Sequence, residues 1–275
     1  MLSFVQEAGK IAQGLAKDSK PSLKSDRSVV TQADKRVSAL ARRHFKDILK
    51  SPEHVLVDEE DPRVGQYLDP RRLKGVKYIW ALDPVDGTRS FADGMPAYGI
   101  SIGIIRNLKP WMGVVYMPAL EELFYCDGKM AYFLKRPFTA HEKKTVIKVQ
   151  DKRIDHFSIV LMSELIFRDF EINFKGLHIM APACGVIDFC WPAIGRGCAA
   201  ILKASLWDFA GSWPVFQAAG LHLRSIKTGQ ALTHVDLKLF SRKNGSPWKL
   251  KEYYILSSKR NFPALKARLT VRGKK

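Results

Sequence analysis

The stretch Trp80-Ala81-Leu82-Asp83-Pro84-Val85-Asp86-Gly87-Thr88-Arg89-Ser90-Phe91 restricts the fold more than any other part of the chain. Residues 76–82 are rich in β-branched and aromatic side chains and read as a buried strand. The strand ends at Asp83, because Pro84 has no N–H for a ladder and turns the chain. Asp86 follows three residues later, Gly87 permits an unusual backbone angle or a close approach, and Thr88 and Ser90 are placed to cap a following helix. Two carboxylates therefore converge at a strand end beside a helix N-terminus. Converging carboxylates repel unless a cation neutralises them. Oxygen ligands select hard ions such as Mg²⁺, and free N–H groups at a helix start suit phosphate. Taken alone, the stretch reads equally well as an Asp-Pro turn with a capping aspartate.

Two more acidic strand ends tip that balance. Glu59 and Glu60 follow the short apolar run 54–57, and Asp208 follows Trp207 where an apolar segment gives way to a helix. Three such ends meeting at one edge would form a carboxylate site for two or three metal ions.

The rest of the chain reads as scaffold. Phe4, Val5, Ala8, Ile11, Ala12 and Leu15 recur at helical spacing. A second helix is expected over 31–50, with Val37, Leu40, Ala41, Phe45, Ile48 and Leu49 as its stripe and Asp34 in its first turn, where an acid suits the dipole. Strands are expected at 99–105, 111–116 and 123–125, so the first half should pack helices on a mainly antiparallel sheet. From about residue 145 strands and helices alternate: strand 157–162, helix 186–194 ended by Gly195, strand 199–206, and helix 208–219 closed by Gly220. The expected class is α+β to α/β. Without a repeat or a low-complexity linker, 1–140 and 141–275 should be halves of one compact unit.

The 275 residues carry a formal charge of +18 with 46% hydrophobic content, which excludes wholesale disorder. No apolar run approaches a membrane span, and the polar residues mixed into 1–20 exclude a signal peptide. Cys126, Cys184, Cys190 and Cys198 are too sparse for a disulfide framework and match no zinc template, so they read as buried thiols in a reducing cytoplasm. The seven histidines form no pair with metal-ligand spacing. Residues 241–275 hold eleven Lys+Arg and one acid, Glu252. Tyr253, Tyr254 and Phe262 interleave with those cations, which raises nucleic-acid binding by phosphate contact and base stacking as an alternative. The other reading of these aromatics is a final strand.

With the acidic motifs in view, the chain resembles the inositol monophosphatase family of Mg²⁺-dependent, lithium-sensitive phosphomonoesterases. These act on inositol phosphates, histidinol phosphate, fructose bisphosphate and 3′-phosphoadenosine nucleotides. The resemblance rests on Asp83 to Thr88 with Phe91, on Trp207-Asp208-Phe209-Ala210-Gly211 through Ala218-Ala219-Gly220, on Val57-Asp58-Glu59-Glu60, where Asp58 replaces a glycine, and on residues 24–34 ending in T-x-x-D. It implies a layered α-β-α-β-α sandwich of the inositol monophosphatase and fructose bisphosphatase type. It implies that Glu59, Asp83 and the Val85 carbonyl hold one Mg²⁺, and Asp83, Asp86 and Asp208 another. Glu59 and Thr88 would orient the attacking water, with Asp34 accepting from Thr88. Gly87 and Thr88 N–H groups would hold the phosphate, and Gly185 and Val186 would face the substrate. A homodimer acting on a small phosphate ester is implied as well.

The substrate end departs from the family. Val186 and Ile187 are bulkier than the residues that pack against an inositol ring, and no carboxylate lies between Arg196 and Trp207 to bind ring hydroxyls. That argues against myo-inositol 1-phosphate as the main substrate. The run from Gly87 to Phe91 with Gly94, Pro96 and Gly99 resembles histidinol-phosphatase-like members instead. Glu60 reads as a plain surface acid or as a support behind the metal ligands, and Arg89 as an exposed helix arginine or as a contact for a second phosphate. Lys203 reads as a surface lysine too, or as a contact for an anionic substrate.

Overall fold

The computed structural model describes residues 1–16, 21–23, 29–150, 152–163, 165–242 and 247–272. Helices α1 (Leu2–Leu15) and α2 (Gln32–His44) bracket a short antiparallel ribbon, β1 (Ser22–Leu23) with β2 (Val29–Val30). Thr31 and Asp34 open α2 as a capping box, the Thr31 N–H donating to Asp34 at 2.7 Å and the Ala33 N–H to Thr31 at 3.2 Å. A seven-stranded sheet follows in spatial and chain order: β3 (His54–Asp58), β4 (Tyr78–Asp86), β5 (Gly99–Arg106), β6 (Lys109–Met117), β7 (Glu122–Cys126), β8 (Ala131–Lys135) and β9 (Lys143–Val146). Only the β3/β4 pair is parallel. Helix α3 (Thr88–Ala92) leaves the end of β4.

A second, mixed sheet contains β10 (Ile159–Met162), β12 (His178–Met180), β13 (Ala199–Leu202), β14 (His222–Ser225) and β15 (Tyr254–Ser257), ordered β12-β10-β13-β15-β14. Around it lie α4 (Ile166–Asp169), α5 (Gly185–Cys190), α6 (Leu206–Ala210), α7 (Trp213–Ala218) and α8 (Phe262–Lys266), with a small pair β11 (Phe170–Ile172) and β16 (Leu269–Val271).

Strand alternation sorts the apolar residues into layers. Leu56, Trp80, Leu82, Ile100, Ile102 and Ile104 face α1 and α2, packing with Phe4, Val5, Val37 and Leu40. Their neighbours Val55, Val57, Ile79, Ala81 and Ile105 face the other way, onto Phe189 of α5, Phe209 of α6, and Trp213 and Phe216 of α7. That middle core also takes Leu161, Ala200, Leu202 and Leu256 from the second sheet. The opposite face of that sheet, Val160, Met162, Ala199, Ile201 and Ile255, packs on Ile166, Phe262 and Leu265. The result is the five-layer α-β-α-β-α sandwich, and its middle core joins the two halves. Truncating Phe209 or Phe216, both fully buried, to Ala would cost about 3–5 kcal/mol.

Several elements differ from expectation for local reasons. β4 does not stop at Pro84 but runs to Asp86 through a register shift between Asp83 and Asp86; a bulge tolerates the missing proline N–H. The 31–50 helix ends at His44, leaving a 3₁₀ turn at Ile48–Lys50. The 186–194 helix tightens into a 3₁₀ turn at Trp191–Ile194, where Pro192 cannot donate, before Gly195 closes it at φ 78°. The 208–219 helix is two helices, because Pro214 sits in the first turn of α7 and cannot bond back into α6. The strands expected over 157–162 and 199–206 are shorter, Ile159–Met162 and Ala199–Leu202. Of the segment 24–34, residues 24–28 lie outside the described residues.

Candidate active site

Four separate devices carry the acids toward one region of the fold. The parallel β3/β4 pairing continues past the strand, with the Glu59 N–H donating to the Leu82 carbonyl at 3.2 Å, so Glu59 lies alongside the strand that carries Asp83. The bulge sets the direction of Asp86. Residues three apart on a regular strand point to opposite faces, but Asp83 pairs with Ser101 and Asp86 with Gly99, so β4 holds one extra residue. That extra residue returns Asp86 to the side of Asp83. There Asp86 meets the start of α5, accepting the N–H groups of Gly185 at 2.8 Å and Val186 at 2.7 Å. A Cβ on Gly185 would stand 2.8 Å from Asp86 Oδ2, so only glycine permits this approach.

Asp208 is placed by α6. The Ser205 N–H donates to its Oδ2 at 2.7 Å in a second capping box. The helix lies directly on the sheet: Ser101 donates to the Trp207 carbonyl at 3.1 Å, and a Cβ on Gly103 would fall 2.2 Å from the Ala210 backbone. Asp34 arrives on α2. Its Oδ2 is taken by Thr31, whose hydroxyl donates at 2.6 Å, and its Oδ1 stands 3.5 Å from the Thr88 hydroxyl. Thr88 has one hydroxyl hydrogen, and the Val85 carbonyl is closer, at 2.9 Å. Gly87 adopts φ 80° and supplies the N-cap of α3; neither Thr88 nor Ser90 caps the helix by its side chain, contrary to expectation.

The electrostatics follow from the geometry. Burial raises the Asp83 carboxyl well above its ordinary range, and Glu59, Asp86, Asp208 and Asp34 push it further. Burial brings Asp86 up to about 7, against the pull of the Gly185 and Val186 N–H groups and with a further push from Glu59. Asp208 is raised by burial, then by Asp86 and Glu59, while the Ser205 N–H and Lys249 oppose. Among the described residues Asp83 Oδ1 is fully buried with no hydrogen-bond partner. Buried acids that repel one another, with an orphaned oxygen among them, are a donor set for a hard divalent cation. Among the described residues no three His, Cys, Asp or Glu side chains are already drawn into a metal-holding group: Asp208 turns back to Ser205 and Asp86 to α5. The donor chemistry fits a hard ion, while the acids by themselves splay apart.

Other expected contacts fall differently. Val186 was expected to face substrate, but its side chain is fully buried in the middle core, and the Gly185 and Val186 N–H groups serve Asp86. Arg89 is exposed, as read. Tyr253, Tyr254 and Phe262 are buried, so they offer no face to a base and the stacking argument for nucleic acid falls. The cysteines are free and buried. Sequence reasoning missed Asp58. It is fully buried and accepts from the Ser38 hydroxyl, from Arg42 Nη2 at 2.9 Å and from the Glu60 N–H at 3.0 Å. Asp34, Ser38 and Arg42 recur every four residues, so one face of α2 ties down both the Glu59 turn and Thr88. That spacing was the available signal.

Residues 2–261 match the inositol monophosphatase family, and the chain belongs to that family, hydrolases of phosphate monoesters. Inositol monophosphatase 3 of Solanum lycopersicum is 27% identical over 229 residues, covering 78% of this chain and 80% of that protein. Inositol-1-monophosphatase of Synechocystis is 34% identical over 207 residues, 70% of this chain and 65% of that protein. Among solved structures, an IMPase/NADP phosphatase complexed with Mg²⁺ and phosphate superposes with a TM-score of 0.75 at 17% identity, covering 99% of this chain and 94% of that one. The staphylococcal IMPase-I complexed with products gives 0.75 at 17% identity, over 100% and 96%.

Proposed function

We propose that the chain is a Mg²⁺-dependent phosphomonoesterase of small phosphorylated metabolites, working at the centre formed by Glu59, Asp83, Asp86 and Asp208. One observation carries this reading: Asp83, a buried carboxylate with an oxygen lacking any hydrogen-bond partner, is pressed on by four other acids. An apolar residue of similar volume would stabilise the strand end better, so the acid answers to chemistry. Glu59, Asp83 and the Val85 carbonyl would hold one ion and Asp83, Asp86 and Asp208 another, with Asp83 shared. Bound there, the ions supply Lewis-acid neutralisation of the phosphate dianion, a lowered water pKa and compensation for the leaving alkoxide.

The chain's own groups do the positioning. Glu59 would take up the proton of the attacking water, and Thr88, held by the Val85 carbonyl with Asp34 in reach, would orient that water. The Gly87 and Thr88 N–H groups at the start of α3 would donate to phosphate oxygens. No protein nucleophile is needed. Burial and Asp86 raise the nearby Cys184 thiol well above its ordinary range, which keeps it protonated and unreactive. The related structure bearing Mg²⁺ and phosphate supports the choice of ion. A homodimer and inhibition by lithium belong to the same reading by family likeness. Free buried cysteines suit a cytoplasmic location, and no helix among the described residues is long and apolar enough to cross a membrane.

The test is hydrolysis of p-nitrophenyl phosphate with and without Mg²⁺, in wild type and Asp83→Asn. Mg²⁺-dependent turnover that disappears in the variant supports the reading; full activity in the variant sinks the metal assignment.

A further inference from the structure

A cavity of about 790 Å³ opens where the end of β13, helix α4 and the segment 241–253 come together, and none of the acids assigned to the metal centre lines it. Its volume suits a small ligand, for which roughly 300–1,000 Å³ is usual. Five cationic side chains line it, Arg168, Lys203, Arg242, Lys249 and Lys251, against one carboxylate, Asp169. A chain of net charge +18 shows basic surface in many places, so the number of cations decides little by itself. Their setting decides more. Lys203 and Lys249 are half-buried, and among the described residues none of the five comes within ion-pair distance of an acid. Lys135, half-buried as well, shows the usual arrangement, with Glu122 at 3.2 Å. Partly desolvated cations gathered without a counter-charge repel one another unless an anion joins them.

The backbone holds these cations together. Ser205 pairs antiparallel with Lys249, the Leu206 N–H donates to the Trp248 carbonyl at 3.0 Å and the Leu250 N–H to the Ala204 carbonyl at 2.8 Å. Trp248 is fully buried and its indole N–H donates to the Val64 carbonyl at 3.0 Å. Lys203 Nζ stands 5.7 Å from the centre of the Tyr253 ring, and the Tyr253 hydroxyl donates to the Leu165 carbonyl at 3.1 Å, which ties the Arg168 stretch to the other two. Lys251 Nζ donates to the Lys238 carbonyl at 2.7 Å. Only the ends of the side chains are left to move apart. Lys249 also favours the charged form of Asp208, so Lys203 and Arg168 are the residues that report on the cavity alone.

We propose that this cavity binds an oligophosphate, a chain of three or more condensed phosphates, at a site separate from the hydrolytic centre. The charge matches: five cations and one acid face a three-phosphate chain with about four negative charges at neutral pH. A lone phosphate is too small to meet cations on three separate stretches of chain. A nucleic-acid strand would want an aromatic face for its bases, and the Tyr253 ring is buried. The site does not depend on the reading of the carboxylate centre, and the two can fail independently.

The experiment is calorimetric titration of the full-length protein in EDTA, which keeps phosphate groups off the metal centre. Inorganic tripolyphosphate, ATP and orthophosphate are the probes. Tripolyphosphate should bind once per chain, about tenfold or more tighter than orthophosphate, as expected for added charge-assisted contacts, and the affinity should fall as KCl rises. Tighter binding of ATP than of tripolyphosphate points to a nucleoside triphosphate, and the reverse to an inorganic chain; either supports the site. Lys203→Ala should weaken binding about tenfold and Lys203→Arg should keep it. Arg168→Ala gives an independent reading should Lys203→Ala fail to fold. Lys109→Ala removes an exposed cation outside the cavity and should change nothing. Binding without fixed stoichiometry, weakened as much by Lys109→Ala as by Lys203→Ala, overturns the inference, because the net charge alone would then be responsible. Retention of a single-stranded RNA oligomer with no binding of tripolyphosphate or ATP also overturns it. Loss of Mg²⁺-dependent p-nitrophenyl phosphate hydrolysis in a folded Lys203→Ala protein would merge the cavity with the hydrolytic centre and overturn its separateness.

Discussion

Two groups of buried acid sit on the same large sheet and are treated in opposite ways. Glu122, at the start of β7, is almost wholly buried, and the chain supplies its counter-charge: Arg196 at 2.6 Å, Lys135 at 3.2 Å and the Trp191 indole N–H at 3.1 Å. Asp83, on β4, is as deeply buried, yet the groups that act on it most are Glu59, Asp86, Asp208 and Asp34. An acid with its own arginine is satisfied structure. An acid surrounded by acids costs stability, a cost that a bound cation would offset. The contrast separates scaffold from chemistry without reference to any relative.

That contrast can be broken experimentally. The largest effect should come from Asp83→Asn, with Mg²⁺-dependent turnover falling on the order of 10³-fold, the several kcal/mol that metal charge stabilisation is worth; steady-state assays across Mg²⁺ concentrations measure it. Glu122→Ala should do the reverse, costing about 3 kcal/mol of stability for a broken buried pair while leaving the Mg²⁺ concentration for half-maximal activity unchanged. Denaturant melts beside Mg²⁺ titrations would show it.

The acids also set a pH dependence. Asp86 binds its proton up to about pH 7 in the folded chain, against 3.8 as its ordinary value, and Asp83 and Asp208 shift the same way. The folded state therefore holds more protons than the unfolded one, and stability falls as pH rises from about 4 to 7. Melting of EDTA-treated protein should drop by several degrees between pH 5 and 7.5, and saturating Mg²⁺ should abolish the drop. A melting temperature flat with pH under EDTA would remove the electrostatic conflict. The smallest effect belongs to Arg42→Ala. Losing its half-exposed pair with Asp58 should cost about 1 kcal/mol, read by thermal melting.

The acids were legible in the sequence because strand ends announce themselves: an apolar run, then Asp83-Pro84-Val85-Asp86-Gly87, or Trp207-Asp208. The apolar stripes of α1 and α2 were legible for the same reason, since each is a local period. What stayed hidden depends on contact between distant residues. Nothing near Asp58 says that Ser38 and Arg42 will meet it, and nothing near Gly185 says that its missing Cβ makes room for Asp86, 99 residues earlier. The basic residues 241–275 looked like an exterior charge. In the fold part of that charge, Arg242, Lys249 and Lys251, turns to a cavity wall, because residues 248–250 pair with 204–206.

The extra residue in β4 has an evolutionary corollary. Straightening β4 without shortening it, so that Asp86 came opposite Tyr98 rather than Gly99, would restore a regular ladder against β5 and swing the Asp86 carboxylate to the layer of α1 and α2. Robustness alone would favour that straight register, because the bulge interrupts the ladder. A descendant that had abandoned hydrolysis would be free to straighten this strand before it lost any of the acids themselves.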